Sequence, residues 1–326
     1  MKLCPFCQKE VYDGAAFCIY CGRSLSTPAV PREMSRGKKF GMALLHGLLY
    51  LAVFLCVQFA VSFVHGFINA ISVMIQYGDI PLEDLENILR EIAMRDTHLM
   101  LLISSLLTIL VLVLSFCVRH KKPLFEMHLR PVSFRRALLS FALGAALNVV
   151  VAVVLSMIPF PEELMESYSV NTEGLTLGPL WLQILTAVIL VPIVEECIFR
   201  GLVFTRFRRG MPVLLAGLLS ALLFGVVHGH IISVAYAFGL GILFVLLMGR
   251  SRDSILVTVL CHMGFNGANY LLGLLGESLN HPAFLLGLTF VCLAVCVSCL
   301  YFLLRRPDRS EEDEAAELPE RVCADL

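Results

Sequence analysis

The chain has 326 residues, of which 58% are apolar and only 16% charged, with a net charge of −1 and a mean hydropathy of +0.82. No water-soluble fold of this length hides so much apolar surface, and the same surplus excludes disorder. With no basic excess, nucleic acid is not an expected partner. The predicted class is an all-α polytopic membrane protein carrying small polar appendages.

Residues 1–23 are polar and show no secretory signal. They hold two CxxC knuckles, Cys4-Pro5-Phe6-Cys7 and Cys18-Ile19-Tyr20-Cys21, ten residues apart. Four thiolates at this spacing suit a tetrahedral Zn²⁺ site, the expected ligands being Cys4, Cys7, Cys18 and Cys21. The piece is too short for a core of its own, so the metal would supply its folding energy. Two disulfides are the alternative, and they need an oxidising compartment. Residues 24–39 form a Pro/Ser-rich linker that turns basic at Arg32, Arg36, Lys38 and Lys39.

Eight apolar runs follow, each near the ~20 residues that cross a bilayer. They lie at about 41–64, 98–118, 137–158, 179–204, 212–228, 231–249, 254–274 and 284–304. Residues 80–96 form a short amphipathic segment between the first two. Residues 305–326 are a polar tail with an acidic run, Glu311, Glu312, Asp313 and Glu314. The expected divisions are a ribbon (1–23), a linker (24–39), two N-terminal spans with the amphipathic segment (40–134), an intramembrane core (135–304) and the tail (305–326).

Lysine and arginine set the expected orientation. They cluster before span one, then after spans two (Arg119, Lys121, Lys122, Arg130, Arg135, Arg136), four (Arg206, Arg208, Arg209), six (Arg250, Arg252) and eight (Arg305, Arg306, Arg309). The alternate loops hold only Arg90 and Arg95, and the longer ones are acidic: Asp79, Glu83, Asp84 and Glu86, then Glu162, Glu163, Glu166 and Glu173. This pattern predicts a multi-pass protein of the cell membrane with both termini cytoplasmic.

Three spans carry polar groups at membrane depth, where such groups mark function. In the fourth, Glu195 and Glu196 precede Arg200; Glu196 and Arg200 are i,i+4 and can pair, leaving Glu195 free. Pro192 lies three residues before and is expected to kink or widen the helix. The bland alternative ends the helix at Val194 and leaves the carboxylates among headgroups. The fifth span holds Phe224 and His228, and the seventh holds His262 and Asn266 on one face. A packing histidine and interhelical glue are the alternatives there. The acidic pair stands about 17–21 Å of helix before the Arg206 cluster, and His262 about 15 Å after Arg252.

Taken in order, EExxxR (Glu195 to Arg200), FxxxH (Phe224 to His228) and HxxxN (His262 to Asn266) resemble the CPBP family, the CAAX-prenyl-protease and bacteriocin-processing (Abi) intramembrane proteases. The likeness covers roughly residues 135–304. It implies an all-α bundle whose catalytic groups are Glu195, Glu196, His228, His262 and Asn266, with Arg200 and Phe224 in support, facing a cavity open to the cytoplasm. A peptide or membrane-protein substrate in the bilayer is implied. Glu195 is then the expected general base, His228 holds the same water, and His262 and Asn266 donate to the oxyanion. Either a catalytic divalent metal or a metal-free glutamate mechanism fits, and no HExxH is present. A cysteine nucleophile is disfavoured, and the C-terminal Cys323-Ala-Asp-Leu reads as a coincidental CaaX outline. The rivals are an ion-coupled transporter and a non-catalytic scaffold whose ribbon binds a cytoplasmic partner.

Overall fold

The computed structural model describes residues 1–4, 7–23, 25, 34–78 and 80–305, and the side chains of all of these except Glu277 and Asn280. Pro5, Phe6, Arg32, Asp79, Arg306, Arg309, the acidic run at 311–314 and Cys323 lie outside the described residues. The chain divides into two compact units, residues 1–39 and 40–326.

In the first unit, β1 (Lys2–Leu3) pairs antiparallel with β2 (Glu10–Val11). The two CxxC turns repeat one backbone pattern. The Cys4 amide donates to the Lys9 carbonyl and the Gln8 amide to the Cys4 carbonyl; the Cys18 amide donates to the Arg23 carbonyl and the Gly22 amide to the Cys18 carbonyl. The fourth residue after each leading cysteine takes a left-handed conformation, Gln8 at φ 58° and Gly22 at φ 70°. Among the described residues of this unit the buried apolar groups are Cys4, Val11 and Cys18, with Cys7 and Leu25 partly buried against them. So small a core does not hold a fold unaided.

The second unit is helical. Its elements are α1 (Arg36–Tyr77, whose first residues belong to the other unit), α2 (Leu82–Arg95), α3 (Thr97–Val118), α4 (Pro123–Glu126), α5 (Phe134–Met157), α6 (Glu162–Glu173), α7 (Leu180–Phe207), α8 (Val213–Val226), α9 (Ile231–Gly249), α10 (Leu256–Leu275) and α11 (Pro282–Leu304). Prolines 81, 161, 179 and 212 stand just before α2, α6, α7 and α8, and Pro282 opens α11. A missing N–H costs nothing at a helix start, where it has no intrahelical acceptor. Outward faces are apolar: Phe59, Phe63 and Phe67 of α1 stack in a row and are largely exposed, as a lipid-facing surface requires.

Each of the eight apolar runs is a helix. Six of them (α1, α3, α5, α7, α9 and α11) are long and apolar enough to cross a bilayer. The fifth run, α8, has 14 residues, about 21 Å at 1.5 Å per residue. The seventh, α10, has 20 residues, but His262, Asn266 and Asn269 dilute its hydropathy. The first helix runs 42 residues, well past the expected end at 64. The amphipathic segment forms α2. The acidic stretch after α5 is also a helix, α6, and not the plain loop the charge pattern implied.

Helices α5 and α10 approach most closely. A Cβ on Gly144 would collide with the Cys261 backbone carbonyl, and one on Gly264 with the Phe141 carbonyl. The two glycines are reciprocal, and between them they let the backbone of α10 lie against α5.

One end of the bundle gathers the basic loops. Arg136 donates to the carbonyls of Arg250 (3.3 Å), Leu303 (3.3 Å) and Arg305 (2.8 Å) and to Ser251 Oγ (3.1 Å). Arg130 donates to the Arg252 carbonyl (2.9 Å), and Ser254 Oγ donates to the Arg130 carbonyl (2.6 Å). Arg208 makes a two-pronged pair with Asp253 (2.8 and 2.9 Å), and Glu126 pairs with both Arg206 (2.7 Å) and Lys121 (2.9 Å). The opposite end is tied differently. His98 Nε2 donates to the Leu175 carbonyl (3.1 Å), Gln183 caps the turn after α6 through the Thr176 and Gly178 carbonyls, and Ser167 meets His230 (2.9 Å).

Candidate active site and zinc ribbon

Helix α7 is α-helical at Val191–Glu196 and widened into π-type turns on either side, at Ile184–Leu190 and Cys197–Phe204. Pro192 accounts for the first widening. The Val191 amide bonds the Thr186 carbonyl, five residues back. In that register the Ala187 carbonyl would take the amide of residue 192, which as proline has none. Asn266 of α10 fills the place: its Nδ2 donates to the Ala187 carbonyl at 2.8 Å. The helix continues to Phe207, so Glu195 and Glu196 lie inside it and not at its end.

Glu196 and Arg200 are fully buried and paired, Nη1 to Oε1 at 2.9 Å. The guanidinium also lies over the rings of Phe224 (4.1 Å) and Phe244 (4.9 Å). Glu196 Oε2 and Arg200 Nε and Nη2 have no hydrogen-bond partner among the described residues. A pair so desolvated and incompletely bonded is a poor source of stability, and its use is to fix geometry around it. His262 is the third member, with Nδ1 at 3.2 Å from Glu196 Oε1 and Nε2 at 3.8 Å from Glu195 Oε2. An ionised carboxylate only accepts, so Nδ1 carries the proton toward Glu196. Phe224 meets the His262 ring edge to face (89°), and Phe244 lies 5.5 Å from it.

His228 sits in the turn that ends α8. Its Nδ1 donates to the Phe224 carbonyl at 2.8 Å. That bond assigns the tautomer and leaves Nε2 as an acceptor. Gly229, at φ 77°, makes the short turn into α9. His230 faces elsewhere: it caps α9 by accepting from the Ile232 amide, and its other nitrogen meets Ser167.

These residues share a cavity of about 850 Å³. Glu195, His228, His262, Asn266 and Phe224 all line it; Glu196 and Arg200 lie behind its wall. Glu195 keeps 13% of its side chain accessible, against none for Glu196. The rest of the lining is mixed, with Gln183, Tyr236, Asn269 and Tyr270 among apolar groups. Sequence reasoning missed Phe244, one apolar residue in an apolar helix. It also missed the Asn266–Ala187 bond, whose acceptor is a backbone group. Buried His98, which bridges Thr186 of α7 (2.7 Å) and the Leu175 carbonyl, is a further residue outside the sequence motifs, because its partners lie 88 and 77 residues away.

Residues 177–268 match the family model described as type II CAAX prenyl endopeptidase, Rce1-like, and residues 3–25 match the zinc-ribbon domain. The chain is thus similar to the CAAX endopeptidases over residues 177–268 and to zinc ribbons over residues 3–25. The matched core contains all seven residues of the three motifs. No curated protein and no solved structure matches the chain.

The ribbon thiols fit a metal. Their Sγ atoms all lie within 4.8 Å of one another, with Cys4–Cys21 at 3.8 Å and Cys7–Cys18 at 3.6 Å. A tetrahedron with Zn–S bonds of 2.3 Å has edges of about 3.8 Å. These separations are well beyond the ~2.05 Å of an S–S bond, against the disulfide alternative. The membrane site does not fit one in the same way. Among the described residues, only the ribbon gathers three or more His, Cys, Asp or Glu ligand atoms so closely. Glu196 is shared between Arg200 and His262, and a guanidinium beside a prospective cation is repulsive. Cys197 and Cys261 are buried free thiols, and neither lines the cavity.

Proposed function

We propose that the chain is an intramembrane endopeptidase of the CAAX-protease and Abi kind, hydrolysing a peptide bond of a membrane-associated peptide or protein with a water activated by Glu195. The observation that carries this reading is the single cavity lined by Glu195, His228, His262 and Asn266. Glu195 takes a proton from the water as its oxygen attacks the carbonyl carbon, with His228 Nε2 accepting from the same water. The carbonyl oxygen becomes an oxyanion facing the Asn266 amide, one of whose hydrogens is not used by Ala187. The C–N bond then breaks, and the proton held by Glu195 passes to the leaving amine. His262, with one nitrogen toward each carboxylate, holds the pair in register. Arg200 fixes Glu196, and the mechanism needs no catalytic metal. The ribbon would hold one Zn²⁺ and stand in the cytoplasm with both termini, available to a cytoplasmic partner.

The test is cleavage of a quenched library of apolar peptides by the protein in nanodiscs, for wild type and Glu195→Ala, with and without chelator. The expected result is turnover lost in Glu195→Ala. In a chain lacking residues 1–23, the chelator should leave turnover unchanged. Unchanged turnover in Glu195→Ala would remove the site assignment. Reversible loss with chelator in the ribbonless chain would replace the metal-free mechanism with a metal-dependent one.

A further inference from the structure

We infer that the active-site cavity opens to the non-cytoplasmic side of the membrane, so that its substrates are exported peptides or outward-facing membrane segments. This rests on the endopeptidase reading above for the word substrate, but the sidedness itself stands on geometry.

The hydrogen bonds of Arg130, Arg136, Arg206 and Arg208 bring the loops after α3, α7 and α9 and the end of α11 together at one end of the bundle. In those loops lie twelve described Lys and Arg residues of the second unit: 119, 121, 122, 130, 135, 136, 206, 208, 209, 250, 252 and 305. The opposite end has two, Arg90 and Arg95, beside the acidic α6. These loops are short, the condition under which basic residues dictate the cytoplasmic side.

The cavity leads the other way. From Glu195 and His262 it runs to Asn171, Thr176 and Gln183, at α6 and the start of α7, and to Gly273, near the end of α10. Asn171, Thr176 and Gly273 are exposed, whereas His262 and Phe224 at the inner end are buried. No described residue of the basic loops lines it. Glu195 stands eleven residues before Arg206, about 17 Å of helix, which places it near the middle of a ~30 Å hydrocarbon core. The expectations of cytoplasmic basic loops and of a cytoplasmic mouth therefore exclude each other, and twelve charges against two decide for the loops. A soluble cytosolic C-terminal peptide would meet a closed floor.

The test uses sealed right-side-out membrane vesicles and a membrane-impermeant maleimide, with modified sites mapped by peptide mass so that native thiols do not interfere. Ser169→Cys reports the mouth, Lys122→Cys the basic end, and Glu166→Cys repeats the first in case one variant misfolds; all three positions are exposed. The expected result is labelling of Ser169→Cys and Glu166→Cys in sealed vesicles and of Lys122→Cys only after permeabilisation. Labelling of Lys122→Cys before permeabilisation, or failure of both mouth reporters, overturns the inference. None of this needs turnover. An impermeant quenched peptide should in addition be cut by sealed right-side-out vesicles. Cleavage seen only in inverted vesicles or detergent would overturn the sidedness and leave the endopeptidase reading standing.

Discussion

Removing Arg200 should be far more damaging than removing the whole pair it belongs to. Arg200→Met leaves Glu196 fully buried with His262 as its one hydrogen-bond partner. Breaking a buried pair in this way costs about 3–5 kcal/mol, and the contacts of the guanidinium with Phe224 and Phe244 are lost within that figure. Replacing both partners, as in Glu196→Met/Arg200→Met, removes the uncompensated charge as well. Such apolar replacements of buried pairs range from neutral to stabilising. The double variant should therefore sit within about 1–2 kcal/mol of wild type, and the cycle should show a coupling of at least about 2 kcal/mol. Trp181, the single tryptophan, stands at the start of the helix that carries the pair and reports its unfolding in a detergent titration. An Arg200→Met loss below about 1 kcal/mol, or additive losses in the double variant, would refute the view that the pair is held against its desolvation cost. Turnover should vanish in Arg200→Met, in Glu196→Met and in the double variant that completes the cycle, because the pair positions His262.

Three further outcomes are expected. Metal analysis of the purified chain should find one zinc, lost in Cys18→Ser and retained in Glu195→Ala. Asn266→Ala should cost about 1–3 kcal/mol by stranding the Ala187 carbonyl. The cost should shrink in a Pro192→Ala background, where residue 192 regains an N–H for that carbonyl; equal costs in both backgrounds, read by the same titration, would contradict the assignment. At Asp253, burial pushes the carboxyl up, but the hydrogen bonds and charge of Arg208 outweigh it and hold the group below its ordinary value. A depressed carboxyl stabilises the fold above its unfolded pKa of about 4 and loses that contribution as pH falls through the folded value. Asp253→Asn should thus lower the unfolding midpoint at neutral pH, and the gap to wild type should close under acid.

Much of the fold was legible because apolar runs and their breaks are local signals. Prolines and charge clusters marked the helix ends to within a few residues, except at α1. The span count was less legible. Runs five and seven are apolar by eye, yet one is short and the other carries His262, Asn266 and Asn269. Helix α6 was hidden because acidic residues after a proline read equally well as a loop. At the site, Glu196–Arg200 followed from i,i+4 spacing, and Pro192 forecast a distortion. What the distortion does was not legible, since it depends on which carbonyl loses its donor and on a side chain 79 residues away. The direction of the cavity was also out of reach, because it depends on where α6 and the end of α10 lie in space.

The central claim is that Glu195 and His228 act on one water, and the kinetics of Glu195→Gln, His228→Ala and the double variant in nanodiscs test it most directly. Each single change should lower kcat by about 10²–10⁴-fold. Groups acting as a unit are not additive, so the double variant should be no slower than the slower single one. Losses that multiply, or a Glu195→Gln protein that turns over like wild type, would contradict it.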